Sequence, residues 1–353
     1  MKKRNEMPRG LRFTFVMVIL LLLLLVALIL NITIGSANIP AERVVSSLLE
    51  FIMNPSGNDA ANLPTESIIL FNIRLPRMLL AGILGGALAV SGFLLQNFFR
   101  NPIAGPFVLG ISSGAKMVVG ITMIFLSDIL SKAGPWLLIA AAFMGSLIIT
   151  AVVMIFSQKV KNMSLLLVVG IMVGYICSAV TDLCVTFASE QDIVNLTHWS
   201  MGTFSGTDWE NVRTAAIVCI PVIIAVWLMS KPMGAYALGE NYAKSMGIRI
   251  KPFRLALILL SSMLSACVTA LVGPISFVGI AVPHITRTLL KSSKPAFVIP
   301  ASFLCGAVFC VMCDLIARTA LAPADINIST VTSVFGAPVV IWMIANRRKN
   351  EAV

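Results

Sequence analysis

Long apolar runs separated by short polar stretches cover most of the chain. They lie at residues 13–31, 76–97, 104–126, 135–156, 164–188, 212–229, 255–272, 278–290, 296–317 and 329–346. Most approach the roughly 20 residues that an α-helix needs to cross the hydrocarbon core of a bilayer. The pattern therefore predicts an all-α, polytopic membrane bundle of about ten transmembrane helices. The run at 278–290 is short and contains Pro283, so we expect a partial or broken helix there.

The first apolar run follows a basic segment, residues 1–12, in the order found in secretory signals. The run is longer than the core of about 7 to 15 residues in such a signal, and no small-residue cleavage site follows it. We therefore expect a retained membrane helix. The predicted organisation is one transmembrane domain over residues 1–353, with tails at 1–12 and 347–353, a helical bundle at 13–346 and a polar loop at 230–254.

The composition agrees with a membrane protein, since 58% of the residues are hydrophobic and only 12% are charged. The net charge is +11, but lysine and arginine collect in alternate loops. If both termini are cytoplasmic, the positive-inside rule is satisfied throughout the chain. The charge is thus explained by membrane orientation and by contact with an anionic lipid bilayer, and no nucleic acid partner is expected.

The longest polar stretch on the predicted cytoplasmic side is LGENYAKSMGIRIKPFR, Leu238 to Arg254. Its two glycines, Gly239 and Gly247, bracket a possible short helix. Two interpretations are open from the residues alone. The stretch is either a solvated connecting loop or a surface that meets a partner in the cytoplasm.

Motifs for enzymatic chemistry are missing from the sequence. It contains no G-x-x-x-x-G-K-[ST] loop for ATP, no HExxH, and no acid-rich magnesium motif. All cysteines fall in apolar stretches, and the CxxC formed by Cys310 and Cys313 lies in a predicted membrane helix. We expect neither a metal site nor a cofactor, and the chain is not predicted to be an enzyme.

Few ionisable side chains fall inside the apolar runs, where a charge costs on the order of 2.5 to 3.5 kcal/mol. Asp314 stands four residues before Arg318, a spacing that permits an ion pair on one helix face. Lys116 could pair with Asp182 of another helix or extend towards the interface. An ion-coupled secondary transporter remains the rival interpretation, with Asp182 and Asp314 as its acidic candidates.

Three arginines lie on or near the predicted outer face, which is otherwise acidic. They are Arg74 and Arg77, in the motif RLPR, and Arg318, after the ninth apolar run. Guanidinium groups bind carboxylates in bidentate fashion. The arginines therefore predict a docking surface for an acidic protein.

Five motifs then indicate a family. They are RLPRMLLAGILGGALAVSGFLLQNFFRNPIAGPFVLGISSGA (74–115), HWSMGTFSGTDW (198–209), LGENYAKSMGI (238–248), GPISFVGIAVPHITR (273–287) and DLIARTALAPADINISTVTSVFGAPVVIWMI (314–344). In this order they resemble the FecCD-type permeases of ATP-binding-cassette importers of ferric siderophores, haem or cobalamin. The resemblance covers nearly the whole chain from Arg74 onward.

The resemblance implies a multi-pass permease subunit of the bacterial cytoplasmic (inner) membrane that works by alternating access. Its implied partners are two ATP-binding-cassette ATPase subunits, an extracytoplasmic substrate-binding protein and a second permease copy or paralogue. ATP hydrolysis would belong to the partner chains, which accounts for the missing ATP loop. A ferric siderophore is the first substrate expected, with haem or cobalamin as alternatives.

The resemblance also assigns roles to residues of this sequence. Arg74, Arg77 and Arg318 match the arginines that receive glutamates of the binding protein. The residues matching the cytoplasmic coupling helices are Gly239, Glu240, Ala243, Lys244 and Gly247. Those near the cytoplasmic gates are Asn101, Ile103 and Ser164. Lys116 departs from the small or apolar residue expected after SSGA.

Overall fold

The computed structural model describes residues 8–35, 65–126, 135–160, 163–322 and 324–351. Much of the predicted outer segment 32–72 lies outside these ranges. The described chain is helical and contains no strand. In chain order the helices are α1 (Arg9–Thr33), α2 (Leu75–Phe99), α3 (Ile111–Phe125), α4 (Pro135–Lys159), α5 (Met163–Val185), α6 (Glu190–Met201), α7 (Trp209–Leu228), α8 (Ser230–Leu238), α9 (Glu240–Ser245), α10 (Ile250–Val272), α11 (Val278–Leu290), α12 (Pro295–Thr319) and α13 (Ile328–Glu351). A short helix, Thr65–Ile68, and a π-helical turn, Ile69–Arg74, lead directly into α2.

Each apolar run forms a helix, which confirms the predicted polytopic bundle. In the described chain, 7 helices are long and apolar enough to cross a membrane. Three shorter apolar helices, Ile111–Phe125, Val278–Leu290 and Ile328–Met343, account for the remaining runs. The run at 278–290 is as short as expected, since α11 has 13 residues with Pro283 inside it.

The structure departs from the prediction at the third run, where α3 begins at Ile111 instead of near residue 104. Residues 101–110 form an irregular loop, because Pro102 and Pro106 lack N–H donors and Gly110 has φ 76°. Irregular backbone is tolerated at membrane depth only when protein covers it. Residues 104–106 and 109–110 of the loop meet this condition because they are buried, whereas Ile103 and Phe107 are exposed.

Helix α2 is the centre of the bundle. In the most apolar window of its membrane segment Ile69–Phe99, 83% of the residues are buried, against 28% in the corresponding window of α5 and 17% in that of α1. It packs on α7, α10, α11 and α12. Glycine permits the closest crossing, because a Cβ on Gly92 would lie 1.8 Å from the carbonyl oxygen of Gly279. The apolar core therefore forms around α2, whereas α5 presents most of its surface outward.

The loops alternate between two ends of the bundle. At one end, Arg12 Nε donates to Leu289 O at 2.9 Å, and Arg100 Nη2 donates to Tyr236 O at 3.1 Å. We call this the basic end, and it includes residues 230–254. At the opposite end, Trp209 Nε1 donates to Phe71 O at 2.9 Å. This grouping matches the alternation predicted from charge.

Candidate functional site

The three arginines predicted for docking lie together at the opposite end, and we call them the arginine cluster. Arg74 ends the π-helical turn, Arg77 lies in the first turn of α2, and Arg318 lies in the last turn of α12. The continuous π-to-α helix holds the first two at fixed spacing. Packing of α12 on α2 brings the third beside them.

Arg77 forms the strongest polar contact of the cluster. Its Nε lies 3.0 Å from both carboxylate oxygens of Asp314, and its Nη2 lies 2.9 Å from Oδ1. Its Nη1 also donates to Asp325 Oδ2 at 3.4 Å. The Arg77 and Asp314 side chains are only 12% and 2% exposed, whereas Asp325 is 46% exposed. Arg77 is therefore held in a buried ion pair with one accessible outer partner.

Asp314 pairs across helices instead of with Arg318 on its own helix. Arg318 turns towards α1, where its Nη2 donates to the carbonyl oxygen of Asn31 and, at 3.0 Å, to Asn31 Oδ1. Arg74 Nη1 donates to the next carbonyl, Ile32 O. The ion pair that the helical spacing permitted is thus replaced, because close packing of α2 on α12 offers Asp314 a better-placed guanidinium.

Gly35 shows how near the Arg74 and Arg318 guanidinium groups lie to each other. A Cβ on Gly35 would be 2.7 Å from Arg74 Nη2 and 3.3 Å from Arg318 Nη1. The end of α1 therefore covers both groups. Among the described residues, the cluster brings its three arginines together with the carboxylates of Asp314 and Asp325.

We call Leu238 to Arg254 the coupling segment, after the role that the resemblance predicts for it. The short helix predicted between its two glycines is present as α9. Gly239 precedes it with φ 139° and Gly247 follows it with φ 80°, both in the region that favours glycine. Glu240 at its start accepts from Arg254 Nη2 at 3.1 Å and lies 3.6 Å from Lys244 Nζ. Ala243 is fully buried and holds α9 against the bundle.

Tyr236, which the sequence reasoning did not single out, anchors the coupling segment. It is 1% exposed, and its hydroxyl accepts from Arg254 Nε at 3.2 Å. The Arg100 guanidinium lies 4.8 Å from the centre of its ring. The end of α2, helix α8 and the start of α10 thus meet at one side chain. The sequence feature that could have identified Tyr236 is an aromatic residue close to several lysines and arginines, which it can contact through its ring.

A cavity of about 860 Å³ opens beside α9 at the basic end. Charged residues line much of it, namely Glu240, Lys244, Arg249, Lys251 and Arg254. Because Glu240, the acidic residue among these, is already paired with Lys244 and Arg254, the net charge of the cavity lining is positive. The coupling segment therefore exposes a positively charged surface around a short, glycine-bounded helix.

The predicted gate residues lie on two elements. Asn101 Oδ1 accepts from the backbone N–H of Ile103 at 3.1 Å, which fixes the start of the 101–110 loop, and Ile103 is 39% exposed. Ser164 is exposed in the first turn of α5. The loop meets α5 further along, where a Cβ on Gly110 would lie 2.9 Å from Gly170 O. The loop and α5 are therefore neighbours, joined through glycines.

The cysteines and possible metal ligands form no reactive centre in the described chain. All cysteines are buried and free. Within the described ranges, no group of three His, Cys, Asp or Glu side chains is placed to hold a metal ion.

Known proteins resemble this chain over nearly the whole helical bundle. Residues 23–346 match the model of the FecCD transport family. The chain belongs to the FecCD transport family. It is 33% identical over 326 residues to the hemin transport system permease protein HmuU of Yersinia pestis, with 92% of this chain and 95% of HmuU covered. It is 37% identical over 282 residues to the vitamin B12 import system permease protein BtuC of Citrobacter koseri, covering 80% of this chain and 84% of that one.

A solved structure resembles this FecCD permease in fold. It is an inward-facing metal-chelate type ABC transporter, with a TM-score of 0.79, 27% identity, and coverage of 93% of this chain and 97% of that one. The chain is therefore an ABC transporter permease, a transport component and not an enzyme. Family membership implies ATPase and binding-protein partners and a permease dimer.

Proposed function

We propose that this FecCD permease forms the membrane path of an importer that carries a ferric siderophore, or a related metal chelate, into the bacterial cytoplasm. The match to the family over residues 23–346 supports the importer function, and the likeness to a metal-chelate type transporter supports a chelate as the cargo. Haem and cobalamin are the alternative cargoes, supported by the names of the relatives HmuU and BtuC. The multi-pass bundle would lie in the cytoplasmic membrane, with the basic end inward.

The arginine cluster is the proposed dock for carboxylates of an extracytoplasmic binding protein. Arg77 is held by Asp314 from within, so its outer contact with the exposed Asp325, at 3.4 Å, is the one that a docking carboxylate can replace. Arg74 and Arg318 lie beside it at the end of α1. Preorganised guanidinium groups lose little side-chain freedom on binding, which favours docking.

Helix α9 is the proposed contact with the ATPases. It projects exposed Tyr242 and Met246, 47% and 62% exposed, beside the charged cavity. Tyr236 and Arg254 connect its base to α2 and α10. Closure of two ATPases could therefore be transmitted through α8 and α9 to the centre of the bundle, where Asn101, Ile103 and Ser164 would form the inner gates.

The test is uptake into proteoliposomes that contain the permease, its ATPases and its binding protein. We expect accumulation of the chelate to require ATP and to stop when the catalytic glutamate of the ATPase is changed. Uptake that continues with an inactive ATPase and follows a proton or sodium gradient would contradict the proposal and favour the ion-coupled transporter. Comparison of ferric siderophore, haem and cobalamin as cargo distinguishes the three substrates.

A further inference from the structure

Lys116 is a cation within the apolar helix α3 for which the structure provides no acidic partner among the described residues. Its side chain is half-buried, and neither a salt bridge nor a hydrogen bond joins it to Asp182. The interhelical pair that the sequence permitted is therefore not formed. Neither the docking nor the coupling surface includes this residue.

The depth of Lys116 makes an unpaired charge costly. Helix α3 begins where Gly110 packs against Gly170 and Gly174, near the middle of the 23-residue α5. Lys116 follows in the second turn of α3, at membrane depth. A charge there is costly unless it faces a partner or a water-filled cavity. Because Lys116 lies so far from either end of α5, an aqueous or ligand-lined face suits it better than extension of its side chain to the interface.

Neighbouring contacts locate Lys116 along α5. Ser113 and Gly120 stand three residues before and four residues after it, and so lie on the same side of α3. The Oγ of Ser113 is 3.6 Å from a Cβ placed on Gly174, and Thr181 Cγ2 is 3.7 Å from a Cβ placed on Gly120. Lys116 thus lies along the seam between α3 and α5, at the level between Gly174 and Thr181.

On the α5 side, Gly174 and Thr181 are buried in the seam, and an exposed, partly polar edge lies beside them. Ser178 is four residues after Gly174 and three before Thr181, which places it on the same side of α5 and level with Lys116. Ser178 and Asp182 are both exposed. Exposed polar groups at this depth suit a water-filled path better than lipid. Asp182 lies one turn farther along α5, about 6 Å from Ser178 by helical rise.

We propose that the seam between α3 and α5 faces the translocation path and that Lys116 binds an ionised carboxylate or phenolate of the cargo. The inference rests on the proposed importer function and adds a substrate class, anionic chelates. An ammonium group is a compact point charge that attracts oxygen anions without demanding bidentate geometry. A single contact of this kind attracts a bulky chelate into the path without binding it so tightly that it cannot leave.

The first experiment measures the electrostatic potential at the seam with the assembled transporter in proteoliposomes. Ser178→Cys provides a thiol beside Lys116, while the native cysteines are buried. The rates of modification by an anionic and a cationic methanethiosulfonate are compared. We expect the anionic-to-cationic rate ratio to fall about tenfold in Lys116→Met and to be restored by Lys116→Arg.

Asp182→Asn is the matched control, and it should raise the same ratio. A Ser178→Cys thiol that neither reagent modifies would show that the seam faces lipid and would overturn the inference. A ratio that Lys116→Met leaves unchanged would overturn it as well. These outcomes are independent of ATP-driven uptake, so failure of this inference is distinguishable from failure of the importer function.

The second experiment tests the substrate class with two ferric chelates. A trianionic ferric tris-catecholate should slow modification of Ser178→Cys more than a neutral ferric trihydroxamate does, and Lys116→Met should remove the difference. If both chelates slow the modification of Ser178→Cys equally, or if neither slows it, the assignment to anionic chelates is overturned.

Discussion

The arginine cluster and the coupling segment lie at opposite ends of the bundle and use charge differently. Arg77 and Asp314 are 12% and 2% exposed and share three close contacts. Lys244 and Glu240 are 58% and 34% exposed and lie 3.6 Å apart. Loss of a buried partner leaves an uncompensated charge, whereas water replaces an exposed one. The contacts of the first region are therefore rigidly held, and those of the second can change at little cost.

Asp314→Asn should produce the largest effect, because it leaves Arg77 buried without its anion. We expect a loss of about 3 to 5 kcal/mol in the free energy of unfolding. Thermal unfolding of the detergent-solubilised permease measures it. Asp325→Asn is the control, since this exposed partner should contribute less than about 1 kcal/mol. Equal melting temperatures for the two variants would remove the distinction between a fixed and an adjustable end.

Arg318→Glu should weaken docking of the binding protein. Reversal of a charge at the cluster is expected to lower the affinity for the binding protein by about tenfold to a hundredfold, or about 1.4 to 2.8 kcal/mol. Affinity is measured with the permease in nanodiscs. Arg213→Glu changes an exposed arginine near the same end and should have a smaller effect. Similar losses in both variants would indicate a general charge effect and contradict a specific dock.

Gly239→Ala tests whether the coupling segment depends on its backbone shape. No atom lies within 4 Å of a Cβ at this position, so the cost comes from φ 139° alone and should be about 1 to 2 kcal/mol. We expect ATP turnover to persist while uptake per ATP falls in proteoliposomes. Gly234→Ala, in helical backbone within α8, is the matched control and should retain coupling. Unchanged coupling in Gly239→Ala would show that coupling does not depend on the backbone conformation at Gly239.

Lys244→Gln should have the smallest effect on stability. An exposed pair four residues apart in a helix contributes at most about 0.5 kcal/mol, so the melting temperature should stay nearly constant. Binding of the ATPase, measured by co-purification, is the more sensitive readout. If Lys244→Gln lowers the melting temperature as much as Asp314→Asn does, the view that weak surface contacts hold the coupling segment is wrong.

Sequence reasoning recovered much of the fold because lipid imposes one requirement on every span. Each apolar run had to satisfy its own backbone hydrogen bonds, so it had to be a helix. The same reasoning failed at residues 104–110, since protein packing, and not lipid, covers that irregular backbone. It located α9 correctly, because Gly239 and Gly247 mark its limits through their local conformational preference.

The sequence by itself determined the membrane class, the order of the helices, the alternation of their ends and the family motifs. These properties follow from local hydrophobicity, charge and spacing, which act through neighbouring residues. Only the tertiary structure decided that Asp314 pairs with Arg77, that Tyr236 anchors α9, and that Lys116 stands beside α5 with no acidic partner in the described parts of the chain. Such contacts join residues far apart in sequence, and their geometry depends on how closely whole helices pack.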